Sequence, residues 1–388
     1  MKKLCVITGS RAEYGLLRPL IDKIKKDKDV ELQLIVTGMH LEHHFGLTYR
    51  EIELDGYKID RKIAIDLNGD TSEAICKSMG LAMIGFGETY ASLRPDMVIV
   101  LGDRYEIFAA VSAAMISQIP IAHIHGGEIT QGAYDDWMRH AISKMSYLHF
   151  TSTEVYRQRV IQLGESPNRV YHVGALGVEN IKQIKLLSQK ALEAELQFSL
   201  GDCSALVTFH PVTLESHTAS TQFENLLEAL EALKNLKIIF TQSNADTGGR
   251  IINQMIQRYV LNHPEKAAAF TSLGSLKYLS LMKYSTVVIG NSSSGIIEAP
   301  ALKIPSVNIG DRQKGRIKAD SVIDSGTSVK EISEAIQRAF NYNRQEAVNP
   351  YEKEKTSEQI VASIKQALHT GIDLKKSFYD FRERISNE

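Results

Sequence analysis

Twelve short apolar runs, most of them β-branched, recur along the chain and alternate with longer stretches in which apolar residues return every three or four positions. In the first half the runs are KLCVITG, VELQLIVTG, DMVIVLGD, IPIAHIHGG, YLHFTST and RVYHVGA. In the second they are SALVTFHP, LKIIFTQS, AAAFTSL, STVVIGNSS, PSVNIGD and DSVIDSG. Strands apolar on both faces, separated by amphipathic helices, predict βαβ units and parallel sheets covered by helices on each side. Two such sheets, each in its own domain, suit the length.

Between residues 175 and 203 the pattern turns polar and helical without a strand, which places the boundary there. The chain is expected to divide into a first α/β domain over 1–175, a second over 176–365, and a helical tail over 366–388. The C-terminal helices are expected to pack across both domains, since the pattern past residue 330 is helical through SVKEISEAIQRAF and TSEQIVASIKQALHTG.

The chain has 388 residues, too many for one core of typical size, and 43% of them are hydrophobic against 23% charged. Its 45 basic and 46 acidic residues leave a formal net charge of −1 without long blocks of either sign. No footprint for nucleic acid or an anionic membrane follows, so any polyanionic partner is small. The apolar run after Met1 is too short for a signal-peptide core, and no stretch reaches the ~20 residues a membrane helix needs. A cytoplasmic protein is expected. Cys5, Cys76 and Cys203 are odd in number and far apart, which argues against a disulfide framework or a thiolate metal site; they read as buried small hydrophobes.

Nearly every predicted strand ends in a turn bearing Gly, Ser, Thr, Asp or His, and ligands of parallel α/β sheets bind outside those ends. GSRAEYG puts Gly9 and Ser10 after the first strand and Arg11 at the start of the next helix. This is either a plain capped turn or an anion site, in which Arg11 clamps a phosphate. GNSSSG repeats the logic in the second domain, where Asn291 and Ser292 to Ser294 exceed what one N-cap requires. Glu298, a turn into that helix, complements its N-terminus or accepts ribose hydroxyls. GDRQKGR, with Arg312, Lys314 and Arg316, is either a solvated basic loop or a lid over the same phosphate. Two anion-binding turns facing each other suggest a nucleotide diphosphate sugar in the cleft.

A second cluster is acidic and rich in histidine. Asp103 and Arg104 of VLGDRYE, His123, His125 and Glu128 of HIHGGE, and Asp135, Asp136, Arg139 and His140 of YDDWMRH fall on neighbouring strand ends. Such groups can take and give protons. Asp103 could instead be an N-cap, and Asp136 could pair with Arg139 along a helix. His123 and His125 are placed on one face of a strand, but no third ligand has a recognisable spacing, so no metal site is assigned. HLEHH, with His40, His43 and His44, reads as an exposed helix start.

These motifs, with VTGMH and FHP, stand in an order that resembles the hydrolysing UDP-N-acetylglucosamine 2-epimerases of bacterial sialic-acid and polysialic-acid capsule biosynthesis, over residues 1 to about 325. The resemblance implies a GT-B-like pair of Rossmann domains with UDP in the cleft, and a homodimer or homotetramer. It implies that Arg11, His210, Ser292, Ser293 and Arg312 hold the diphosphate and Glu298 the ribose. It implies conversion of UDP-N-acetylglucosamine and water to N-acetylmannosamine and UDP without a cofactor, through loss of the C2 proton as UDP leaves and addition of water to the glycal. Asp103 and Asp135 are then the leading carboxylates. Many relatives carry Glu where this chain has His125, so His125 or Glu128 is expected to take over that carboxylate's proton transfer, and which of His125, Glu128, Asp103 and Asp135 is base and which acid stays open. A hydrolysing epimerase of a UDP-2,4-diacetamido sugar is the nearest alternative. A non-hydrolysing epimerase would read GDT and EAGLR at two of these turns.

Overall fold

The computed structural model describes residues 1–380 apart from positions 68, 70, 213, 216, 217 and 244–247. Residues 381–388 of the expected tail therefore lie outside the described residues. Strands β1 (Lys2–Thr8), β2 (Val30–Thr37), β3 (Arg61–Ile63), β4 (Met97–Leu101), β5 (Ile121–Ile124), β6 (Leu148–Thr151) and β7 (Val170–His172) form one parallel sheet, ordered β3-β2-β1-β4-β5-β6-β7. Strands β8 (Ser204–Thr208), β9 (Lys237–Thr241), β10 (Ala267–Phe270), β11 (Val287–Gly290), β12 (Ser306–Ile309) and β13 (Val322–Ser325) form a second, ordered β10-β9-β8-β11-β12-β13. The expected fold class is observed: two doubly wound α/β domains. All twelve apolar runs are strands, and β3 is an addition. It escapes a hydrophobic reading because Ile63 is its one buried residue, beside exposed Arg61 and Lys62.

The helices of the first domain are α1 (Arg11–Lys26), α2 (Tyr49–Leu54), α3 (Ser72–Leu93), α4 (Tyr105–Ile116), α5 (Asp135–Met145) and α6 (Glu154–Gln162). Helices α7 (Leu176–Gln183) and α8 (Gln189–Leu196) lie between the sheets in sequence. Then come α9 (Ala219–Glu231), α10 (Gly249–Asn262), α11 (Gly274–Tyr284), α12 (Ser293–Ala301), α13 (Val329–Phe340) and α14 (Thr356–Thr370). The amphipathic pattern of α1 buries Leu17, Leu20, Ile21 and Ile24 against Leu4, Val6 and Leu34 of the sheet. Each such side chain contributes roughly 1.5–3 kcal/mol when fully buried.

Helix α14 places Ile360, Val361 and Ile364 in that same cluster, so the chain returns to the first domain. The tail expected to be helical from residue 366 leaves the helix at Thr370 and runs without regular structure to residue 380. The domains meet in a buried apolar cluster containing Tyr156, Ala175, Ile296, Ile297 and Tyr351. There the Tyr156 and Tyr351 hydroxyls lie 3.1 Å apart, and Ile317 N donates to Tyr156 Oη at 2.8 Å.

Candidate active site

In each sheet the strand order reverses between the first strand and the fourth, β1/β4 and β8/β11. Diverging connections leave a crevice at such a point. Four of the turns singled out in the sequence follow these strands: Gly9–Arg11 after β1, Asp103 after β4, His210 after β8, and Asn291–Ser293 after β11.

Ser10 caps α1 by accepting from Glu13 N at 3.3 Å, while Gly9 N donates to Glu13 Oε2 at 2.6 Å. This reciprocal arrangement presents Arg11 at the first helical position. Its guanidinium is buried, with Nη1 lacking a hydrogen bond among the described residues. Burial lowers its pKa against the opposing pull of Glu51. In the second domain, β11 ends at Gly290, where φ is +136° and an added Cβ would collide with the Thr208 carbonyl. Only glycine lets β11 and β8 end side by side there. Asn291 does not line an anion pocket as its motif suggested. Its side chain accepts from His210 N and donates to His210 O, both at 2.8 Å, and so clips the two strand ends together. Ser292 is the N-cap of α12.

A cavity of about 240 Å³ is lined by Arg11, His210, Ser292, Ser293, Glu298 and Arg312, together with Ser10, Thr208, Ser243 and Tyr278. All six residues expected to hold UDP thus line one cavity. An adjoining cavity of about 170 Å³ is lined by Asp103, Asp135, Arg104, Arg139, Glu13 and Arg316, and shares Ser10, Ser293 and Arg312 with the first. His125 and Glu128 line neither.

Buried Arg139 organises the acidic cluster. Its Nη2 pairs with Asp103 Oδ2 and donates to Thr130 Oγ1 at 3.1 Å, while Nη1 donates to the Glu128 carbonyl at 2.9 Å. Asp103 is therefore a guanidinium partner rather than a helix cap. Asp136 lies 3.4 Å from Arg139, the expected helical pair, and accepts from Thr130 N at 2.6 Å. Sequence reasoning gave Arg139 only that local partner. The signal for its wider role was its place in a motif otherwise read for its acids. Tyr278, in the middle of α11, had none.

Strand β5 ends at Ile124, so His123 and His125 do not share a strand face. His123 is fully buried between Gly102 O (2.8 Å) and Ser143 Oγ (3.1 Å), and burial lowers its pKa to about 3. His125 lies beyond the strand with φ +66°, a left-handed conformation uncommon outside glycine. Its Nδ1 is 3.0 Å from Glu128 Oε1. Burial alone would raise the Glu128 pKa, but Arg316 and His125 overcome it and hold the carboxyl at about 2. Arg316 is not a phosphate lid in this arrangement, because Glu128 engages it at 2.6 Å.

Glu298 is buried against Gly177 of α7, and burial raises its pKa to about 7 despite His125. Glu13 is pushed up to about 8 by burial, Gly9 N opposing and Glu106 reinforcing. The site thus combines two carboxyls raised towards neutrality, Glu298 and Glu13, with the fixed anion Glu128 and the guanidinium-paired Asp103.

Among the described residues no three His, Cys, Asp or Glu are grouped to hold a metal ion, and no helix is long and apolar enough to cross a membrane. His40 is not exposed. It is fully buried, with Nε2 3.1 Å from Thr8 Oγ1 and Nδ1 2.8 Å from Thr48 Oγ1, and burial lowers its pKa to about 3. Cys5 is buried as expected, whereas Cys76 is exposed.

The family model described as UDP-N-acetylglucosamine 2-epimerase matches residues 22–365. A Campylobacter jejuni protein named GDP/UDP-N,N'-diacetylbacillosamine 2-epimerase (hydrolyzing) is 46% identical over 337 residues, covering 87% of both chains. Polysialic acid biosynthesis protein P7 of Escherichia coli is 42% identical, covering 99% of this chain and 98% of its own. The crystal structure of Methanocaldococcus jannaschii UDP-GlcNAc 2-epimerase with UDP-GlcNAc and UDP superposes with a TM-score of 0.80 at 22% identity, covering 94% of this chain and all of that one. The two-domain arrangement is thus the GT-B-like fold of those enzymes, and the chain belongs to the UDP-N-acetylglucosamine 2-epimerase family.

Proposed function

We propose that this protein is a hydrolysing 2-epimerase that converts UDP-N-acetylglucosamine and water to N-acetylmannosamine and UDP. The observation that carries the proposal is the paired cavity: a chamber lined by Arg11, His210 and Arg312 shares Ser10, Ser293 and Arg312 with a carboxylate-lined one. The shared wall is where the bond between a diphosphate and its sugar would lie. Arg11, His210, Ser292, Ser293 and Arg312 would neutralise the charge gathering on UDP as the C1–O bond breaks, and Glu298 would accept the ribose hydroxyls.

The C2 proton leaves to a protein group as UDP departs, which gives the 1,2-glycal. Water then adds its hydroxyl at C1, and a proton returns to C2 from the opposite face. Asp103, Asp135 and His125 are the proposed proton-transfer groups. Glu128, held ionised by Arg316, is poorly suited to that task and better suited to orienting His125.

A second reading keeps the chemistry and adds an acetamido group at C4 of the substrate; the name of the 46% identical relative favours it. Both UDP-sugars should be incubated with the protein in heavy water. Free sugar of manno configuration with deuterium at C2 is expected from one of them, and the faster substrate decides the C4 substituent. Labelled UDP-sugar as the main product would mean epimerisation without hydrolysis. Undeuterated sugar of retained configuration would mean simple hydrolysis.

A further inference from the structure

Arg316 follows β12 in the second domain, whereas Glu128 closes the turn after β5 in the first. Their side chains, 8% and 1% exposed, meet at 2.6 Å between Nη1 and Oε2. The loops that carry them are docked: Gln131 N donates to Lys314 O at 3.2 Å, and an added Cβ on Gly132 would approach Asp311 O to 2.9 Å. This contact spans the cleft and depends on the domains standing as close as they do here.

The other carboxylate oxygen of Glu128 accepts from Ser152 Oγ at 2.8 Å and lies 3.0 Å from His125 Nδ1. An ionised carboxylate can only accept, so the proton between Glu128 and His125 belongs to Nδ1. Nε2 is buried and without a hydrogen-bond partner among the described residues. The groups around the pair are His123 on the preceding strand, Tyr156 from α6, Tyr351 from the segment before α14, Arg139 from α5 and Glu298 from α12. Of the two guanidinium groups, Arg139 meets the Glu128 carbonyl while Arg316 meets its carboxylate.

We propose that Arg316 is a positioning residue through which domain closure prepares His125: pairing with Glu128 across the cleft fixes the ring as its Nδ1–H tautomer and leaves Nε2 as a proton acceptor. This deepens the proposed function and rests on His125 as a proton-transfer group. Opening the cleft would separate Arg316 from Glu128 and release the ring from a single tautomer. Proton transfer would then be confined to the closed, substrate-bound state.

The test uses the full chain with saturating UDP and 15N-labelled histidine, with the His125 signals assigned from a His125→Gln variant. The wild type should give a protonated Nδ1 and a bare Nε2. Arg316→Gln and Glu128→Gln should both disturb that pattern, and Arg316→Lys should restore it in part. With whichever UDP-sugar is turned over, Arg316→Gln should lower kcat about tenfold or more, move the acid limb of the kcat–pH profile, and leave the UDP Kd within about threefold. The Arg316→Gln/Glu128→Gln pair should be no slower than the slower single variant.

An unchanged tautomer in both single variants would overturn the proposal. So would a UDP Kd that rises in step with the loss of kcat, which would make Arg316 a phosphate ligand. If neither UDP-sugar is turned over by the wild type, the functional reading fails, while the tautomer measurement still decides the role of Arg316. Should Arg316→Gln fail to bind UDP through misfolding, Glu128→Gln and Arg316→Lys carry the same comparison.

Discussion

Lys376 Nζ lies 2.9 Å from both carboxylate oxygens of Glu165, and it also donates to Ser146 O at 2.6 Å and Lys144 O at 2.8 Å. The ammonium fastens the segment after α14 to the first domain. Glu165 is 2% exposed and also meets Lys144 Nζ at 2.8 Å and His149 Nε2 at 3.1 Å. Burial lowers the His149 pKa, so that ring is the neutral donor and the lysines supply the charge.

Lys376→Met should therefore cost about 1–3 kcal/mol in denaturant unfolding at pH 7, less than an unrelieved buried charge because Lys144 remains. Burial would raise the Glu165 pKa, but its partners depress it to about 2. A depressed carboxyl stabilises fully above its unfolded value and loses that contribution as pH falls through the folded one. The gap between variant and wild type should accordingly narrow between about pH 4.5 and pH 2. Equal unfolding midpoints at pH 7 would show that the tail contributes nothing.

Glu298 has the opposite sign. Its folded pKa of about 7 lies above the usual carboxylate value. Stability is then complete below the unfolded pKa and declines as pH rises through 7. Glu298→Gln should remove that decline, gaining up to roughly 3 kcal/mol at pH 8 and nothing at pH 4.5. The same variant should lose UDP affinity if Glu298 accepts the ribose hydroxyls. Thermal unfolding across pH, paired with UDP titration, checks both halves. A variant no more stable than wild type at pH 8 would mean that Glu298 is ionised without cost.

What could be read along the chain was local. A strand buried on both faces announces itself in five or six residues, as DMVIVLGD does, and the polar residue just after it marks the crevice edge. The edge strand β3 is missed because its neighbour β2 supplies the backbone bonds while Ile63 alone supplies burial. His40 is misread for a related reason: its polar neighbours His43 and His44 are surface residues, but its own ring is enclosed by Thr8 and Thr48 from other segments. The candidate UDP residues line one cavity because Arg11, His210, Ser292 and Ser293 follow the switch-point strands β1, β8 and β11, while Glu298 lies along the helix after β11 and Arg312 follows the neighbouring β12. Partnerships across the cleft, Arg316 with Glu128 above all, depend on how two domains dock, and no spacing in the chain encodes that.

The carboxylates of the second cavity should separate by kind of damage. Asp135→Asn should reduce turnover by ~10²–10⁴-fold at unchanged UDP affinity, as expected when a proton-transfer group is lost. Asp103→Asn should reduce turnover comparably and also lower the melting temperature, because it leaves the buried Arg139 guanidinium with a weaker partner. Steady-state kinetics and calorimetry on both variants decide the matter. Full turnover in both would remove the carboxylates from the mechanism.

Arg312 lines both cavities and donates from Nη1 to Asn291 O at 3.1 Å, which holds the guanidinium at their shared wall. If that wall receives the diphosphate, Arg312 makes a charge-assisted contact worth about 1.5–3 kcal/mol, and Arg312→Ala should weaken UDP roughly 10–100-fold. Ser292 offers a neutral hydroxyl worth about 0.5–1.5 kcal/mol, so Ser292→Ala should weaken UDP by no more than about tenfold. Uridine, which lacks phosphates, should bind both variants as it binds the wild type. Added salt should weaken UDP more in the wild type than in Arg312→Ala, since screening acts on the contact the variant has already lost. Isothermal titration with UDP and uridine gives all of these ratios. Equal losses for the two ligands would place Arg312 and Ser292 at the nucleoside and leave the diphosphate to Arg11 and His210, whereas unchanged UDP affinity in both variants would remove the diphosphate from this wall.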